Sequence, residues 1–169
     1  MSGLADVTLR PERSDDAQTI RILTEEAFRP KAFSDGTEGA LIDALRTASA
    51  LTLSTVATEH GEIVGHVAFS PAAVGALPGW FALGPIAVRA DRQGHGIGSQ
   101  LIQDGLAHLQ RDGAQGCVLA GDPNYYSRFG FVNTPALTYQ GEQSRFIQVL
   151  RFAGPDPVGE VRFHPAFSG

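Results

Sequence analysis

One stretch of the chain combines the residue types that bind phosphate groups. Residues 83–99 read LGPIAVRADRQGHGIGS, in which a short apolar strand at 86–88 runs into a charged turn and then into Gly94, Gly96 and Gly98. A helix is predicted to begin at these glycines. Glycines let a backbone approach a ligand closely, and the N–H groups at a helix start carry partial positive charge. The stretch therefore predicts a site for a phosphate or pyrophosphate group.

Two common phosphate-binding motifs fit this stretch poorly. A P-loop has a Lys followed by Ser or Thr directly after its last glycine, but here Ile97 and then Gly98-Ser99 follow Gly96. A dinucleotide-binding fingerprint needs a glycine where Ser99 stands, and an acid about twenty residues further on. Asp122 lies too far along the chain for that role. An NAD-type binder therefore stays an alternative with little support from the spacing.

The hydrophobic pattern predicts one domain, over residues 1–169, in which strands and helices are mixed. The predicted order is β-α-α-β-β-β-α-β-α-β-β, to which the C-terminal segment 159–163 can add one short strand. Helices are predicted over 14–28, 37–48, 97–111 and 123–128, strands over 6–10, 51–58, 62–70, 80–88, 116–120, 146–152 and 159–163 and from 131, and a loop over 71–78. Because proline cannot donate to a sheet, Gly84-Pro85 predicts a bulge or a parting of strands within 80–88. The segment 80–120 forms a βαβ unit with a parallel pair.

Composition excludes several classes of protein. The formal net charge of −5 argues against a nucleic-acid binder and favours a cationic or neutral substrate. A single cysteine, Cys117, excludes a disulfide framework and a cysteine zinc site within one chain, and no metal is expected. The first residues lack a signal-peptide pattern, and no apolar run could span a bilayer. The composition therefore predicts a cytoplasmic protein with no membrane partner.

Two motifs in this order resemble those of the GNAT superfamily of N-acetyltransferases. The first is Gln93-x-x-Gly96-x-Gly98 at a strand-to-helix turn, which is similar to the family's acyl-CoA signature. The second is Tyr126, four residues before the pair Gly130-Phe131. The resemblance covers nearly the whole chain. It implies an α/β (α+β) fold with a mixed central sheet of about seven strands and about four helices, splayed between the fourth and fifth strands.

The resemblance also implies which residues bind acetyl-CoA, the expected co-substrate. Backbone groups of residues 86–88 would bind the pantetheine arm, and Arg92 would form a salt bridge with a phosphate; a solvated turn charge is the other interpretation of Arg92. Asn124 would contact CoA from the start of the short helix. The implied cofactor-binding set is Ile86, Ala87, Val88, Arg92, Gln93, Gly94, His95, Gly96, Ile97, Gly98, Ser99 and Asn124.

Acetyl transfer to an amine needs an oxyanion stabiliser, a proton donor and a proton acceptor. A backbone N–H near Val88 would polarise the thioester carbonyl, and Tyr126 would protonate the departing thiolate as the general acid. Many relatives place a glutamate on the fourth strand as the base, but residues 80–86, WFALGPI, contain no acid. His66 is a candidate from another strand. Three loop acids would flank the acceptor cleft, namely Asp35, Glu38 and Glu142.

The predicted function is therefore transfer of an acetyl group from acetyl-CoA to a primary amine, of a small molecule, by direct attack in a ternary complex. A protein N-terminus or a lysine side chain is the other acceptor that the sequence leaves open. A GNAT-like module that binds or senses acyl-CoA without turnover is the alternative, and the missing acid on the fourth strand supports it. The loops 29–37, 71–79 and 133–145 would define the acceptor. Since many relatives form dimers, the resemblance also allows a homodimer.

Overall fold

A mixed eight-stranded sheet forms the centre of the computed structural model, which describes residues 6–31 and 34–168. The helices are α1 (Ala17–Phe28), α2 (Glu38–Thr47), α3 (Ile97–Arg111) and α4 (Pro123–Tyr126). The strands are β1 (Val7–Pro11), β2 (Leu53–Glu59), β3 (Glu62–Val74), β4 (Leu77–Val88), β5 (Gly116–Ala120), β6 (Leu137–Tyr139), β7 (Ile147–Arg151) and β8 (Gly159–Arg162). Residues 32 and 33 of the predicted 29–37 loop lie outside the described residues.

The main path of the sheet runs β1-β2-β3-β4-β5-β7. Strands β1 to β4 pair antiparallel, β4 and β5 pair parallel, and β7 pairs antiparallel with β5. β8 pairs with the end of β3 and with β6. The parallel pair and the helix between its strands confirm the predicted βαβ unit.

β4 and β5 separate after a short contact. Their pairing covers only Trp80–Ala82 of β4 against Gly116–Val118 of β5. Beyond it the β3–β4 register shifts between Val67 and Phe69, at the level of Gly84-Pro85. Since β4 continues to Val88, its last residues pair with β3 alone in the described part of the chain. This is the splay predicted from Gly84-Pro85.

Helices cover both faces of the sheet. Adjacent residues of a strand point to opposite faces, and the neighbours Val56 and Ala57 belong to different apolar clusters. Val56 packs with Ile20 of α1 and Ile42 of α2, whereas Ala57 belongs to the cluster that α3 forms on the sheet. Gly105 of α3 lies against the ring of Phe69, where a Cβ atom would overlap it. The close packing of α3 fixes the position of its first turn beside the end of β4.

The structure corrects the predictions for two segments. The predicted loop at 71–78 is wrong, because β3 runs to Val74 and β4 starts at Leu77, so these residues form an extended hairpin. β8 pairs with the end of β3. This contact joins segments far apart in the sequence, so the small residues and prolines of the segment gave no local signal for it. No strand starts at residue 131; Val132 makes one bridge to β7, and the three-residue β6 was not predicted.

No helix in the described ranges has the length and apolar character to cross a membrane.

Candidate active site

A cavity of about 440 Å³ lies where α1 ends, β4 ends and α3 begins, with α4 at its side. Most of the predicted cofactor-binding residues line it. They are Ile86, Ala87, Val88, Arg92, Gln93, Gly94, Gly96, Ile97, Gly98 and Ser99. The structure therefore brings together the strand end and the glycine turn that the sequence placed next to each other.

The glycine turn has a conformation that suits only residues without a side chain. Gly94 has a φ of +80° and Gly96 a φ of +89°, both in the left-handed region. Gly96 immediately precedes α3, so the helix starts within the cavity wall. The first N–H groups of a helix have no partner within it and carry the positive end of the helix dipole. These donors suit an anionic group.

Gln93 closes the turn from the other side. Its side-chain amide Nε2 donates a hydrogen bond to the backbone oxygen of Val88 over 3.0 Å. The bond ties the residue before the glycines to the last residue of β4.

Tyr125 and Tyr126 occupy different environments on α4. Tyr125 lines the cavity, and its Oη would lie 3.4 Å from a Cβ atom at Gly98. Tyr126 is absent from the described lining and packs instead against the end of β5, where a Cβ at Gly121 would lie 2.6 Å from its ring. Its ring centroid is 6.2 Å from that of Phe131. Burial, with smaller contributions from nearby Tyr125, Cys117 and Asp122, raises the pKa of Tyr126 to about 12.

The chain is similar to known proteins of one family. A family model for the acetyltransferase (GNAT) domain matches residues 51–133. The uncharacterized N-acetyltransferase YhbS of Escherichia coli K12 is 40% identical over 152 residues, which is 85% of this chain and 90% of YhbS. This chain belongs to the GNAT acetyltransferase family.

Two solved structures of GNAT family members superimpose on nearly the whole chain. A GNAT family acetyltransferase from Brucella melitensis, in complex with acetyl-CoA, is 49% identical with a TM-score of 0.84, covering 95% of this chain and 97% of that one. E. coli YhbS, in complex with CoA, has a TM-score of 0.88 and 32% identity when 100% of this chain is superimposed on 96% of it. Family membership confirms the predicted GNAT fold, the acyltransferase class and acetyl-CoA as the co-substrate.

The structure excludes one of the two interpretations of Arg92, and the predicted salt bridge with a phosphate stays a prediction. Arg92 is buried, and its Nε and Nη2 donate to Oε1 and Oε2 of Glu59 over 2.8 and 2.9 Å. It is therefore no solvated turn charge, and a carboxylate from β2 already neutralises the guanidinium predicted to bind phosphate. Glu59 lies 33 residues away in the sequence, so no local pattern could reveal the pair.

His95 and Asn124 lie outside the described cavity lining. His95, in the glycine turn, is exposed. Asn124 is also exposed, and its backbone N–H donates to the Asp122 carboxylate that caps α4. The cavity geometry gives neither side chain a contact with a ligand, so their predicted contacts with CoA stay predictions without structural support.

Five lining residues of this GNAT chain lie outside the predicted set, namely Ala27 and Phe28 of α1 and three that carry polar groups. Lys31, after α1, and Tyr125 and Arg128, in and after α4, line its walls. The Arg128 guanidinium lies 4.4 Å from the centre of the Tyr125 ring, and its Nε donates to the Tyr125 backbone oxygen over 2.8 Å. Arg128 stands inside the Tyr126 to Phe131 motif, so its position in the motif was a usable signal. Lys31 offered none.

The described lining of the first cavity holds no carboxylate that could act as the general base. β4 contains no acidic residue along its whole length. His66 on β3 is fully buried, its Nε2 lies 2.8 Å from Ser54 Oγ, and burial lowers its pKa to about 4. Because the imidazole is buried, it cannot contact a substrate in the cavity, and its low pKa makes it a weak base. Both properties favour a structural role. Glu142 is exposed in a turn, and its backbone pairs with that of Tyr139.

Asp35 and Glu38 lie in a second cavity of about 400 Å³. Its lining comprises Glu25, Arg29, Ser34, Asp35, Gly36 and Glu38. Hydrogen bonds from Thr37 lower the pKa of Asp35, and Ser34 donates to Glu38 over 2.7 Å. Both cavities adjoin the C-terminal end of α1.

No group of three His, Cys, Asp or Glu side chains within residues 6–31 and 34–168 is arranged to hold a metal ion.

Proposed function

We propose that this chain transfers the acetyl group of acetyl-CoA to a primary amine of a small molecule, by direct attack in a ternary complex. The observation that carries the proposal is the cavity at the glycine turn, which continues along the free end of β4 where β5 has separated. A phosphate-binding turn and an unpaired strand edge in one cavity suit a ligand with a pyrophosphate and an extended amide-containing arm.

The backbone supplies the proposed binding groups for acetyl-CoA. The N–H groups of residues 93–99 would bind the pyrophosphate, and the strand end at 86–88 would pair with the amides of the pantetheine arm like an added strand. A backbone N–H near Val88 would donate to the thioester oxygen as negative charge develops there. Fixed backbone donors need no reorganisation during the reaction, which is why they stabilise the tetrahedral intermediate.

Tyr126 is the proposed general acid. The neutral amine nitrogen forms a bond to the thioester carbon, the C–S bond breaks, and the thiolate takes the proton of the phenol. Water takes the proton that the attacking nitrogen loses as it becomes the amide nitrogen. A pKa of about 12 keeps that phenol protonated at neutral pH, and the phenolate then regains a proton from solvent. The side chain stands beside the end of β5, at the separated strands.

The acidic second cavity supports an amine as the acceptor. Its lining has three carboxylates against one arginine, which would raise the local concentration of a cation. The ammonium form must lose a proton before it attacks. Because β4 has no acid, we propose that water takes this proton.

An acceptor screen tests the proposal. Purified protein is incubated with acetyl-CoA and a panel of primary amines, and both free thiol and the mass of the acetylated amine are measured. We expect at least one amine to release thiol in equal amount to its N-acetylated product, with intersecting initial-rate plots. If CoA raises the melting temperature and NAD does not, but no amine on the panel releases thiol, the chain is the acyl-CoA-binding module instead.

The homodimer, the single-domain extent over 1–169 and the cytoplasmic location stay predictions. Light scattering of the purified protein would decide the first of them.

A further inference from the structure

The charge of the first cavity is opposite to that of the protein. The chain has a formal net charge of −5, yet the described lining of this cavity holds Lys31, Arg92 and Arg128 and no aspartate or glutamate. Glu59 neutralises Arg92. Lys31 and Arg128 therefore supply the net positive charge of the cavity.

Half of the twelve arginines of the protein form ion pairs with carboxylates of the described residues, and Arg128 is not one of them. Within 4 Å, carboxylates of the described residues pair with Arg10, Arg21, Arg46, Arg89, Arg92 and Arg151. For Arg128 the described residues offer no carboxylate at that distance, and only its Nε is used, for the Tyr125 backbone oxygen. Its two Nη groups keep their hydrogen-bond donors for a ligand.

The Arg128 guanidinium is also held in one orientation. Stacking on the Tyr125 ring at 4.4 Å and the Nε bond at 2.8 Å restrain its plane from two directions. A restrained planar fork loses little side-chain entropy when it binds and matches two oxygens of a terminal phosphate. Lys31, by contrast, offers a flexible point charge.

CoA carries two phosphate groups of different kinds. The pyrophosphate is a diester that the backbone N–H groups of the glycine turn can satisfy without a cation. The 3′-phosphate of the ribose is a terminal monoester with more charge and three free oxygens, and it needs a cationic partner. Resting on the proposed function, we infer that Arg128 binds the 3′-phosphate of CoA and makes this enzyme select CoA over 3′-dephospho-CoA.

Two ligands and three variants test this assignment. Dissociation constants of CoA and 3′-dephospho-CoA are measured by calorimetry at fixed ionic strength for the wild type, Arg128→Gln, Lys31→Gln and Arg145→Gln. Arg145 is the matched control, since it also stacks on an aromatic ring, that of Phe146 at 4.8 Å, but lies outside the described cavity lining. Circular dichroism and melting temperatures verify that each variant is folded.

The expected result is a loss of selectivity in one variant only. The wild type should bind CoA about tenfold more tightly than 3′-dephospho-CoA, the size of one solvent-accessible charge-assisted contact. Arg128→Gln should reduce this ratio to about one, mainly by weakening CoA, while Arg145→Gln keeps it. Lys31→Gln should weaken both ligands and change the ratio less than Arg128→Gln, because a mobile ammonium forms no fixed fork with the oxygens of the 3′-phosphate.

Three results would overturn the inference: no selectivity in the wild type, an unchanged ratio in Arg128→Gln, or loss of the ratio in Lys31→Gln alone. The proposed function fails separately. If the ratio behaves as expected but no amine is acetylated, Arg128 still binds the 3′-phosphate and only the transferase proposal is wrong. If amines are acetylated while the ratio is unchanged in Arg128→Gln, the transferase stands and the assignment of Arg128 is wrong.

Discussion

The buried pair of Arg92 and Glu59 gives a sharp test of how the cavity wall is built. Their side chains are 5% and 8% exposed, and two hydrogen bonds of 2.8 and 2.9 Å join them. Removing one partner of a buried pair costs about 3–5 kcal/mol, because a charge stays buried without its counter-charge. Glu59→Gln keeps one oxygen acceptor, so we expect about 3 kcal/mol, which lowers the melting temperature by about 6–12 °C in a domain of this size.

Urea unfolding at neutral pH measures this cost, with Glu62→Gln as the matched control. Glu62→Gln is the same substitution in an exposed ion pair. The Glu62 carboxylate lies 3.2 Å from Arg89 Nη1, and its side chain is 72% exposed. An exposed pair contributes at most about 1 kcal/mol, so the two variants should differ clearly. Equal losses in both variants would refute the structural role of the pair. So would a stabilisation by saturating CoA that is about 3 kcal/mol larger in Glu59→Gln than in the wild type, because Arg92 would then use a phosphate as its counter-ion.

Three further perturbations test other parts of the structure. Burial lowers the pKa of His66 to about 4, so on acidification the imidazole gains its proton in the unfolded state before it does so in the folded state. The free energy of unfolding should therefore be constant above about pH 6.5 and fall by up to about 3 kcal/mol towards pH 4. Urea unfolding across this range should show a smaller fall in His66→Gln. Gly105→Ala places a methyl group onto the ring of Phe69 and should cost about 1–3 kcal/mol by thermal unfolding, despite the better helix propensity of alanine; a more stable variant would contradict the packing of α3. Burial raises the pKa of Cys117, so a thiol reagent should label it in urea but not in the native protein at pH 8, and rapid native labelling would show that β5 is accessible.

Local patterns were enough to predict the elements that form the phosphate turn. The apolar strand before residue 89, the glycines at 94, 96 and 98 and the amphipathic helix after them are neighbours in sequence, and their geometry depends on backbone rules that each residue type carries. Gly84-Pro85 likewise predicted a bulge or a parting of strands, because a proline within a strand removes a donor. That β4 separates from β5 in particular was implied by the family resemblance.

Contacts between distant segments explain what the sequence did not reveal. Glu59 on β2 neutralises Arg92 after β4, and no spacing rule connects the two. Lys31 enters the cavity from the end of α1 because α1 packs on β4, which is a property of the assembled sheet. The small residues after Pro71 lie in a strand that pairs with β8. Each of these depends on tertiary pairing that overrides the local propensity.

The rate of thiol release by Tyr126→Phe is the most direct test of the account. With the acceptor found by the screen, the variant should lose kcat by about 100-fold, the contribution of a positioned general acid, while the dissociation constant of CoA is unchanged. Tyr125→Phe, in which only the cavity-lining hydroxyl is removed, should keep kcat within a few-fold. A wild-type kcat in Tyr126→Phe, or a larger loss in Tyr125→Phe, would contradict the assignment of Tyr126 as the proton donor.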